Sequence, residues 1–496
     1  MTRLRLEDEL RARIDDIFAR FFAEGKAGPG LAYGIVHGGR LVHGGGLGTA
    51  EGGQCRTVDA DTVFRIASMS KSFTAAAILI LRDEGKLSLD MLVTDFVPAL
   101  RAAPGLPWDA PELTIRHCLT MSAGLPTDDP WADRQESLTR AEFDAILAAG
   151  VHFIDVPGVR FEYSNLGFAL LGRVIEELSG HPLADYLRIR IIEPLGLQST
   201  TYDFERVPSP RLAHGHRKGP SGSVVVPFCS PGAFSAIGGV LSSTSDIARW
   251  MHWLGRAFLP EDDRDNSVLS RASRREMQQF HRFIPASAGA DPAPDVDSST
   301  ATGAHTIAHG YGYGLFIDEH PRLGTFVQHS GGYPGFGSHM RWHSRTGWGV
   351  VAFGNCTYAP VSTPAEEALT TLMADLDASA PEEPAWEALA DARAALEAVL
   401  TGKDDSHVNP MFSPNILQDE PASERLAAIR TVLAEVGALS KGDALLVRAP
   451  TAARLVWVLP AERGRVRLEV RLTPTTPPLI HSYWVRAQPS GPATQE

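Results

Sequence analysis

Apolar runs with strand-like spacing lie at both ends of the first 377 residues, and a long section with helical spacing lies between them. Residues 31–37 and 41–47 are apolar runs joined by Gly38-Gly39, which is typical of a β-hairpin. Similar runs return late in this region, at 311–317, 325–329, 338–343 and 348–354. The early hairpin can pair with the late strands only if the section between them is an excursion. The pattern therefore predicts an α/β (α+β) fold, in which an antiparallel sheet carries an inserted helical subdomain and a cleft lies between the two.

Helices are predicted where apolar residues recur every three or four positions. Four segments fit this spacing: 68–84, 164–179, 244–257 and 364–376. Gly85 and Gly180 follow the first two as C-terminal stops, and residues Thr244 to Asp246 open the third as capping residues. The N-terminal segment is interpreted as an amphipathic surface helix rather than a membrane anchor, from the spacing of Leu4, Ile14, Ile17, Phe18, Phe21 and Phe22.

The pattern of predicted helices and strands changes near residue 377, which predicts a second domain. Residues 1–377 form the larger predicted domain, 378–385 read as a linker, and 386–496 as a small accessory α+β domain. In the accessory domain, helices at 386–400 and 424–436 precede β-like runs at 444–448, 453–459, 466–472 and 479–484. Within the larger domain, residues 285–306 are rich in Pro, Ala, Ser and Asp and predict a flexible surface insertion.

Composition narrows the function classes. The formal charge of −13 argues against broad nucleic-acid binding, which needs a basic surface. The four cysteines have neither disulfide-framework nor zinc-ligand spacing, so we predict no metal and no cofactor, and reduced thiols. No secretory h-region or membrane-length apolar run is evident, and we therefore expect a cytoplasmic protein with no membrane partner.

Ser68 and Lys71 form the first candidate motif. Residues three apart at the start of a helix share a face, so the Lys71 amine can reach the Ser68 hydroxyl. Only six of the 46 basic residues are lysine, and this is the only Ser-x-x-Lys in the chain. Lysine, unlike arginine, can lose its proton when buried and then serve as a base for a serine nucleophile. The alternative is a helix cap followed by a solvated lysine.

Two further motifs follow in order along the chain. Tyr163-Ser164-Asn165 places a phenol and an amide at a loop–helix junction, where Tyr163 can relay protons and Asn165 can orient Lys71 or hold a substrate amide. His329-Ser330-Gly331-Gly332 follows a strand-like run. There His329 is a candidate donor, Gly331 lets a substrate approach the strand, and the Gly332 N–H can pair with that of Ser68 as an oxyanion hole. Taken alone, each motif also fits a structural role, namely a buried tyrosine with a helix cap or a turn histidine.

With all three motifs in this order, residues 10–377 resemble the penicillin-binding-protein-like serine hydrolases, specifically the class C β-lactamase-related group. That group includes family VIII esterases, D-aminopeptidases and DD-carboxypeptidases. The resemblance implies the β-lactamase/transpeptidase-like fold, Ser68 as nucleophile, Lys71 as its base and Tyr163 in proton transfer. It also implies Asn165 in polar positioning and the backbone N–H groups of Ser68 and Gly332 as the oxyanion hole.

One departure from the group's pattern affects the expected substrate. Many β-lactamases of this superfamily have Lys-Thr-Gly where this chain has His329-Ser330-Gly331, and a neutral imidazole holds a carboxylate less firmly than an ammonium does. We therefore expect a serine hydrolase acting on small esters, amides or D-amino-acid peptides. A thioesterase or acyltransferase that cyclises peptides, a weak β-lactamase and a non-enzymatic scaffold are the alternatives. The expected partners are a small molecule or peptide, and an oligomer is possible.

Overall fold

The computed structural model describes residues 6–51, 56–102, 109–220, 222–258, 268–285, 307–376, 385–402 and 409–489. The chain divides into two compact units, Met1–Ala380 and Pro381–Glu496. The predicted linker lies almost wholly outside the described residues, as does the predicted surface insertion. The division into a catalytic domain, a linker and an accessory domain stays a prediction.

The larger unit combines eleven described helices with twelve described strands. The helices are α1 (Asp8–Ala23), α2 (Ser70–Asp83), α3 (Val93–Phe96), α4 (Ile115–Leu119), α5 (Arg140–Ala149), α6 (Asn165–Ser179), α7 (Leu183–Leu187), α8 (Ser235–Gly238), α9 (Thr244–Gly255), α10 (Arg271–Met277) and α11 (Ser362–Asp375). The strands are β1 (Gly30–His37), β2 (Arg40–Gly48), β3 (Phe64–Arg65), β4 (Gly215–Gly219), β5 (Gly222–Val226), β6 (Leu241–Ser242), β7 (Arg282–Ile284), β8 (Ala308–Tyr311), β9 (Phe316–His320), β10 (Gly324–Tyr333), β11 (Phe336–His343) and β12 (Gly349–Gly354).

The main sheet joins the two ends of this unit, as the sequence predicts. Its strand order is β2-β1-β12-β11-β10-β9-β8-β7, and every neighbouring pair is antiparallel. The first hairpin meets the late strands through β1 and β12, where Leu31 lies opposite Gly354 and Val36 opposite Gly349. The predicted antiparallel sheet with an inserted helical section is confirmed.

The two faces of the sheet carry different helices, because each face is apolar and must be covered. On one face, α1 and α11 share a core with β1 and β12, in which Ile14, Phe18 and Leu372 are buried. On the other face, α2, α6 and α9 belong to the larger core, which includes Phe73 and Trp250, stacked with ring centroids 4.0 Å apart. Helix α2, which begins next to Ser68, is therefore fixed between the sheet and the inserted helices.

The predicted strand over residues 311–317 is wrong, since the structure has two strands there. Strand β8 ends at Tyr311 and β9 begins at Phe316, and the Gly312 N–H donates to the Leu315 carbonyl across the turn between them. Gly314 has a φ of +68°, a conformation that glycine adopts without steric cost. Gly312 and Gly314 are the residues in this run that indicate a turn.

Other predicted elements differ mainly at their ends. Helix α9 is capped by Ser243, whose hydroxyl accepts from the Asp246 N–H, one residue before the predicted opening. The predicted strand 325–329 extends to Tyr333, so the His329 motif lies within a strand rather than at its end. The hairpin formed by β4 and β5 was not predicted.

The smaller unit is an α+β structure with its own core. Its helices are α12 (Glu387–Leu400), α13 (Pro414–Asp419) and α14 (Ala422–Val436), and its strands are β13 (Leu446–Thr451), β14 (Arg454–Ala461), β15 (Gly464–Leu472) and β16 (Ile480–Pro489). The strands form an antiparallel sheet in the order β13-β14-β15-β16. Leu396, Trp457 and Leu468 are fully buried between the helices and this sheet.

Candidate active site

Ser68 lies on a single 3₁₀ turn, Ala67–Met69, directly before α2. Ala67 has a φ of +48°, in the left-handed region that costs a non-glycine residue about 1–3 kcal/mol. Neighbouring groups hold the turn in place, since the Ser338 hydroxyl donates to the Ile66 carbonyl at 2.7 Å. The serine hydroxyl is therefore presented from a rigid, strained turn at a helix N-terminus.

Lys71 is the second residue of α2, three positions after Ser68, and its side chain reaches back to this serine. Its Nζ donates to Ser68 Oγ at 3.1 Å, to Asn165 Oδ1 at 2.6 Å and to the Ile237 carbonyl at 3.0 Å. Three acceptors match the three donors of an ammonium, so the amine is fixed in direction. The side chain is fully buried. The predicted contact between the two residues is present in the structure.

Burial changes the acidity of Lys71. Desolvation lowers its pKa to about 8, although the charges of Asp129, Asp133 and Asp128 act in the opposite direction. A lysine with this pKa is partly neutral near neutral pH, which a base must be. The site thus holds the amine close to the proton that it would remove.

Asn165 connects Lys71 to an acidic loop. Its Oδ1 accepts from Lys71, and its Nδ2 donates to Asp128 Oδ1 at 3.0 Å. Asp128 also accepts from the backbone N–H groups of Asn165 and Leu166, at 2.8 and 2.7 Å, and so caps the first turn of α6. Of the two roles considered for Asn165, the geometry matches the orientation of Lys71.

The acidic residues of this loop were not identified from the sequence. Asp129 is exposed and accepts from Asn165, whereas Asp133 is buried and accepts from the Tyr358 hydroxyl at 2.7 Å. Burial raises the pKa of Asp133 to about 7, with a further increase from Asp129. The pair Asp128-Asp129 is visible in the sequence, but nothing local shows that it faces a lysine far away in the chain.

Tyr163 borders the Lys71 amine with its ring. Lys71 Nζ lies 5.0 Å from the ring centroid, within the range of a cation–π contact. Burial, Tyr311 and Asp129 raise the pKa of the Tyr163 phenol well above its ordinary value, although a hydrogen bond with Ser68 acts in the opposite direction. The phenol is therefore neutral, and a proton relay through it begins from the hydroxyl rather than from a phenolate.

His329 is buried on β10 and faces a group of aromatic rings. Its ring centroid lies 6.3 Å from that of Tyr163 and 5.2 Å from that of Phe316. Burial and the nearby Lys71 lower its pKa to about 3, so the imidazole is neutral. Nδ1 donates to the Ser330 carbonyl at 2.5 Å, which leaves Nε2 as an acceptor near the Tyr311 hydroxyl at 3.4 Å. In this tautomer Nε2 is an acceptor, whereas the motif predicts a donor at His329.

Gly331 and Gly332 are positions where the strand packs without room for a side chain. A Cβ at Gly331 would lie 2.4 Å from the Ile66 carbonyl oxygen and 3.0 Å from the Ala67 Cβ, beside the serine turn. Gly331 therefore allows β10 to approach the turn, and not only a substrate to approach β10. Pairing of β10 with β9 ends at Gln328, so the segment containing both glycines extends past its neighbour on that side. The oxyanion hole formed by Ser68 and Gly332 stays a prediction.

A buried ion pair lies behind the site. Arg65, three residues before the serine, pairs with Glu136, and both side chains are about 1% exposed. Glu136 also accepts from the Tyr333 hydroxyl at the end of β10. This network links three segments of the site: the strand before the serine, the loop after Asp133, and β10. Sequence reasoning did not identify it, because the partners are far apart along the chain.

Across the described residues, no group of three or more His, Cys, Asp or Glu side chains is arranged to hold a metal ion. Among the helices described, none is both long and apolar enough to cross a bilayer.

The fold and the order of the three motifs are those of the β-lactamase type of protein. The chain belongs to the Beta-lactamase family, whose model matches residues 18–374. Penicillin-binding protein 4* of Bacillus subtilis is 26% identical over 314 residues, which cover 62% of this chain and 63% of that protein. Protein flp of Staphylococcus aureus is 26% identical over 363 residues, which cover 71% and 64% respectively. This chain thus matches just under two thirds of the length of these curated relatives.

Solved structures share the fold at lower identity. An octameric penicillin-binding protein homologue from Pyrococcus abyssi has a TM-score of 0.59 and 23% identity, covering 93% of this chain and 96% of that one. A class C β-lactamase has a TM-score of 0.57 and 18% identity, covering 74% and 97% respectively. The predicted β-lactamase/transpeptidase-like fold and family are confirmed.

Proposed function

We propose that this protein hydrolyses small esters, amides or D-amino-acid-containing peptides through an acyl-enzyme on Ser68. The observation that carries the proposal is the buried Lys71 amine, 3.1 Å from the Ser68 hydroxyl and with a pKa lowered to about 8. A serine needs a base to become a nucleophile, and an amine that is partly neutral near neutral pH and at hydrogen-bond distance supplies one.

In the proposed acylation, neutral Lys71 takes the proton of Ser68 as the serine oxygen attacks the substrate carbonyl. The backbone N–H groups of Ser68 and Gly332 stabilise the charge that develops on the carbonyl oxygen. The carbonyl then reforms, the bond to the leaving group breaks, and a proton passes through the Tyr163 hydroxyl to the leaving group. In the second half-reaction, water attacks the carbonyl of the acyl-enzyme and gives up a proton to the same base. The bond to the Ser68 oxygen then breaks, this oxygen regains a proton, and the free acid is released. Asn165 keeps the amine directed at Ser68 throughout.

His329 disfavours penicillin hydrolysis as the main activity. A β-lactam carries a carboxylate, which a cation binds well. His329 is neutral, because burial and Lys71 lower its pKa to about 3. We therefore expect neutral ester and amide substrates to react faster than nitrocefin.

A fluorophosphonate probe tests the nucleophile directly. We expect wild-type protein to be labelled and Ser68→Ala to remain unlabelled, and equal labelling of both would contradict the assignment. Lys71→Ala should lower the labelling rate by about 10³-fold or more if this lysine is the base. A Lys218→Ala variant, which changes an exposed lysine on β4, serves as the matched control and should label normally.

Substrate comparison then separates the reaction classes. We expect turnover of p-nitrophenyl butyrate or D-Ala-p-nitroanilide to exceed that of nitrocefin. Adding an amine acceptor tests for acyl transfer, since a transferase would form the amide product at the expense of the free acid. The proposed cytoplasmic location and assembly into an oligomer stay predictions. The related protein from Pyrococcus abyssi, described as octameric, supports testing the latter by light scattering.

A further inference from the structure

Tyr358 occupies an unusual position in the loop between β12 and α11. Its φ is +52°, a left-handed conformation that is strained for a bulky residue. Its backbone N–H is within hydrogen-bond distance of the carbonyls of Tyr333 and Phe336, at 3.3 and 3.1 Å, which fixes it beside the turn between β10 and β11. The side chain is nevertheless 36% exposed, so the strain does not serve to bury the ring.

The ring instead spans two parts of the candidate active site. At one end it packs against β10, since a Cβ on Gly332 would lie only 2.5 Å from Tyr358 Cδ1. At the other end its hydroxyl donates to Asp133 Oδ2 at 2.7 Å, and Asp133 is 4% exposed. Arg134 Nη1 lies 3.5 Å from the same hydroxyl. The tyrosine thus connects the end of β10 with the acidic loop that orients Asn165.

The two tyrosines of the site, which come from other segments of the chain, border different positions of β10. Tyr163 borders His329, with ring centroids 6.3 Å apart, and Tyr358 packs on Gly332. These strand positions are three residues apart, or roughly 10 Å. In the proposed mechanism Tyr163 delivers the proton to the leaving group. The leaving group therefore lies toward His329, and the acyl group lies toward Gly332 and Tyr358.

We propose that the Tyr358 ring, anchored by Asp133, forms the end wall of the acyl-group pocket and restricts the enzyme to short acyl chains. This inference rests on the proposed function and names the substrate class of the same site. Tyr358 acts as a specificity-determining residue that touches the acyl group, and Asp133 acts as a positioning residue that holds the ring across the cleft.

A series of p-nitrophenyl esters with acyl chains of increasing length tests whether Tyr358 limits the size of the acyl group. The kcat/KM values for p-nitrophenyl acetate, butyrate and octanoate are measured for wild type, Tyr358→Gly and Tyr358→Phe. Glycine suits the left-handed backbone, so Tyr358→Gly removes the ring without new strain. We expect the octanoate-to-acetate ratio to rise about 10-fold or more in Tyr358→Gly. In Tyr358→Phe the ring remains but its anchor is lost, so the ratio should rise less.

Asp133 and a distant control complete the experiment. Asp133→Ala should shift the ratio in the same direction as Tyr358→Phe, and Asp133→Asn, which keeps an acceptor, should restore the wild-type ratio. Phe283→Ala removes an exposed ring from β7, at the edge of the sheet, and should leave the ratio unchanged. If the ratio is unchanged in Tyr358→Gly while fluorophosphonate labelling is intact, the role of Tyr358 in limiting the acyl group is wrong, although the proposed hydrolase function still stands. If the wild-type protein is not labelled and hydrolyses none of these esters, the proposed function is wrong, and so is the role of Tyr358 that rests on it.

Discussion

In the proposed mechanism, the charge of Asp129 should set the pH at which Lys71 becomes able to activate Ser68. Burial lowers the pKa of Lys71 to about 8, and Asp129 is the largest of the three carboxylates that oppose this decrease. Asp129→Asn removes the negative charge but keeps an oxygen that can accept from the Asn165 amide. The substitution therefore changes the electrostatics of Lys71 with little change in the hydrogen bonds around it.

The expected magnitude follows from the Coulomb interaction. Two unit charges in contact interact by about 4 kcal/mol at an effective dielectric constant near 20. The Asn165 amide lies between Lys71 and Asp129, and Asp129 is exposed to water, so we expect the interaction to be reduced to about 1 kcal/mol. We expect the Lys71 pKa to fall by about half to one pH unit. With a pKa of about 8, roughly one Lys71 in eleven is neutral at pH 7, and the decrease raises this fraction about three-fold or more.

The assay is the pH profile of kcat/KM for p-nitrophenyl acetate between pH 6 and 9.5. In the proposed mechanism the neutral amine is the active form, so the wild-type rate should rise with pH and level off above about pH 8. In Asp129→Asn the rising limb should move to lower pH, while the plateau stays within about two-fold. Asp375→Asn, on α11, is the charge control and should not move the limb. A limb that stays in place in Asp129→Asn would show that Lys71 does not titrate in this profile.

Two further substitutions test the structure around the serine. Glu136→Gln leaves the buried Arg65 guanidinium without its counter-charge, so urea unfolding should show a loss of about 3–5 kcal/mol, and an unchanged midpoint would contradict the role of this ion pair. Gly331→Ala brings a Cβ to within 2.4 Å of the Ile66 carbonyl oxygen and so displaces the strand or the turn. Fluorophosphonate labelling of Ser68 should slow by about 10²-fold while the circular dichroism spectrum is kept, and labelling at the wild-type rate would refute the close packing.

The sequence was most informative where chemistry depends on local spacing. Ser68 and Lys71 are three residues apart on one helix, and helical geometry alone brings their side chains together. The pairing of β1 with β12 was also predictable, because an apolar hairpin without a neighbour must find another strand. Such inferences need only periodicity and the requirement to cover apolar surface.

Contacts between distant segments could not be predicted in this way. Asp128 is 37 residues from Asn165, and Glu136 is 71 residues from Arg65, so no periodicity relates them. The packing role of Gly331 depends on how closely the serine turn approaches β10. Each of these facts belongs to tertiary structure rather than to a local pattern.

The electrostatic balance at Lys71 links the motif residues to the residues outside any motif. Burial alone would favour a neutral amine, which is available as a base but holds the proton that it accepts only weakly. Three carboxylates in one loop raise its proton affinity again. In the proposed mechanism, the same amine can then take a proton from Ser68 and return it to the Tyr163 relay. The loop that carries Asp129 also holds Tyr358 through Asp133. Changes in this loop therefore alter both the operating pH and, in our proposal, the acyl group that is accepted, even when the three motifs are unchanged.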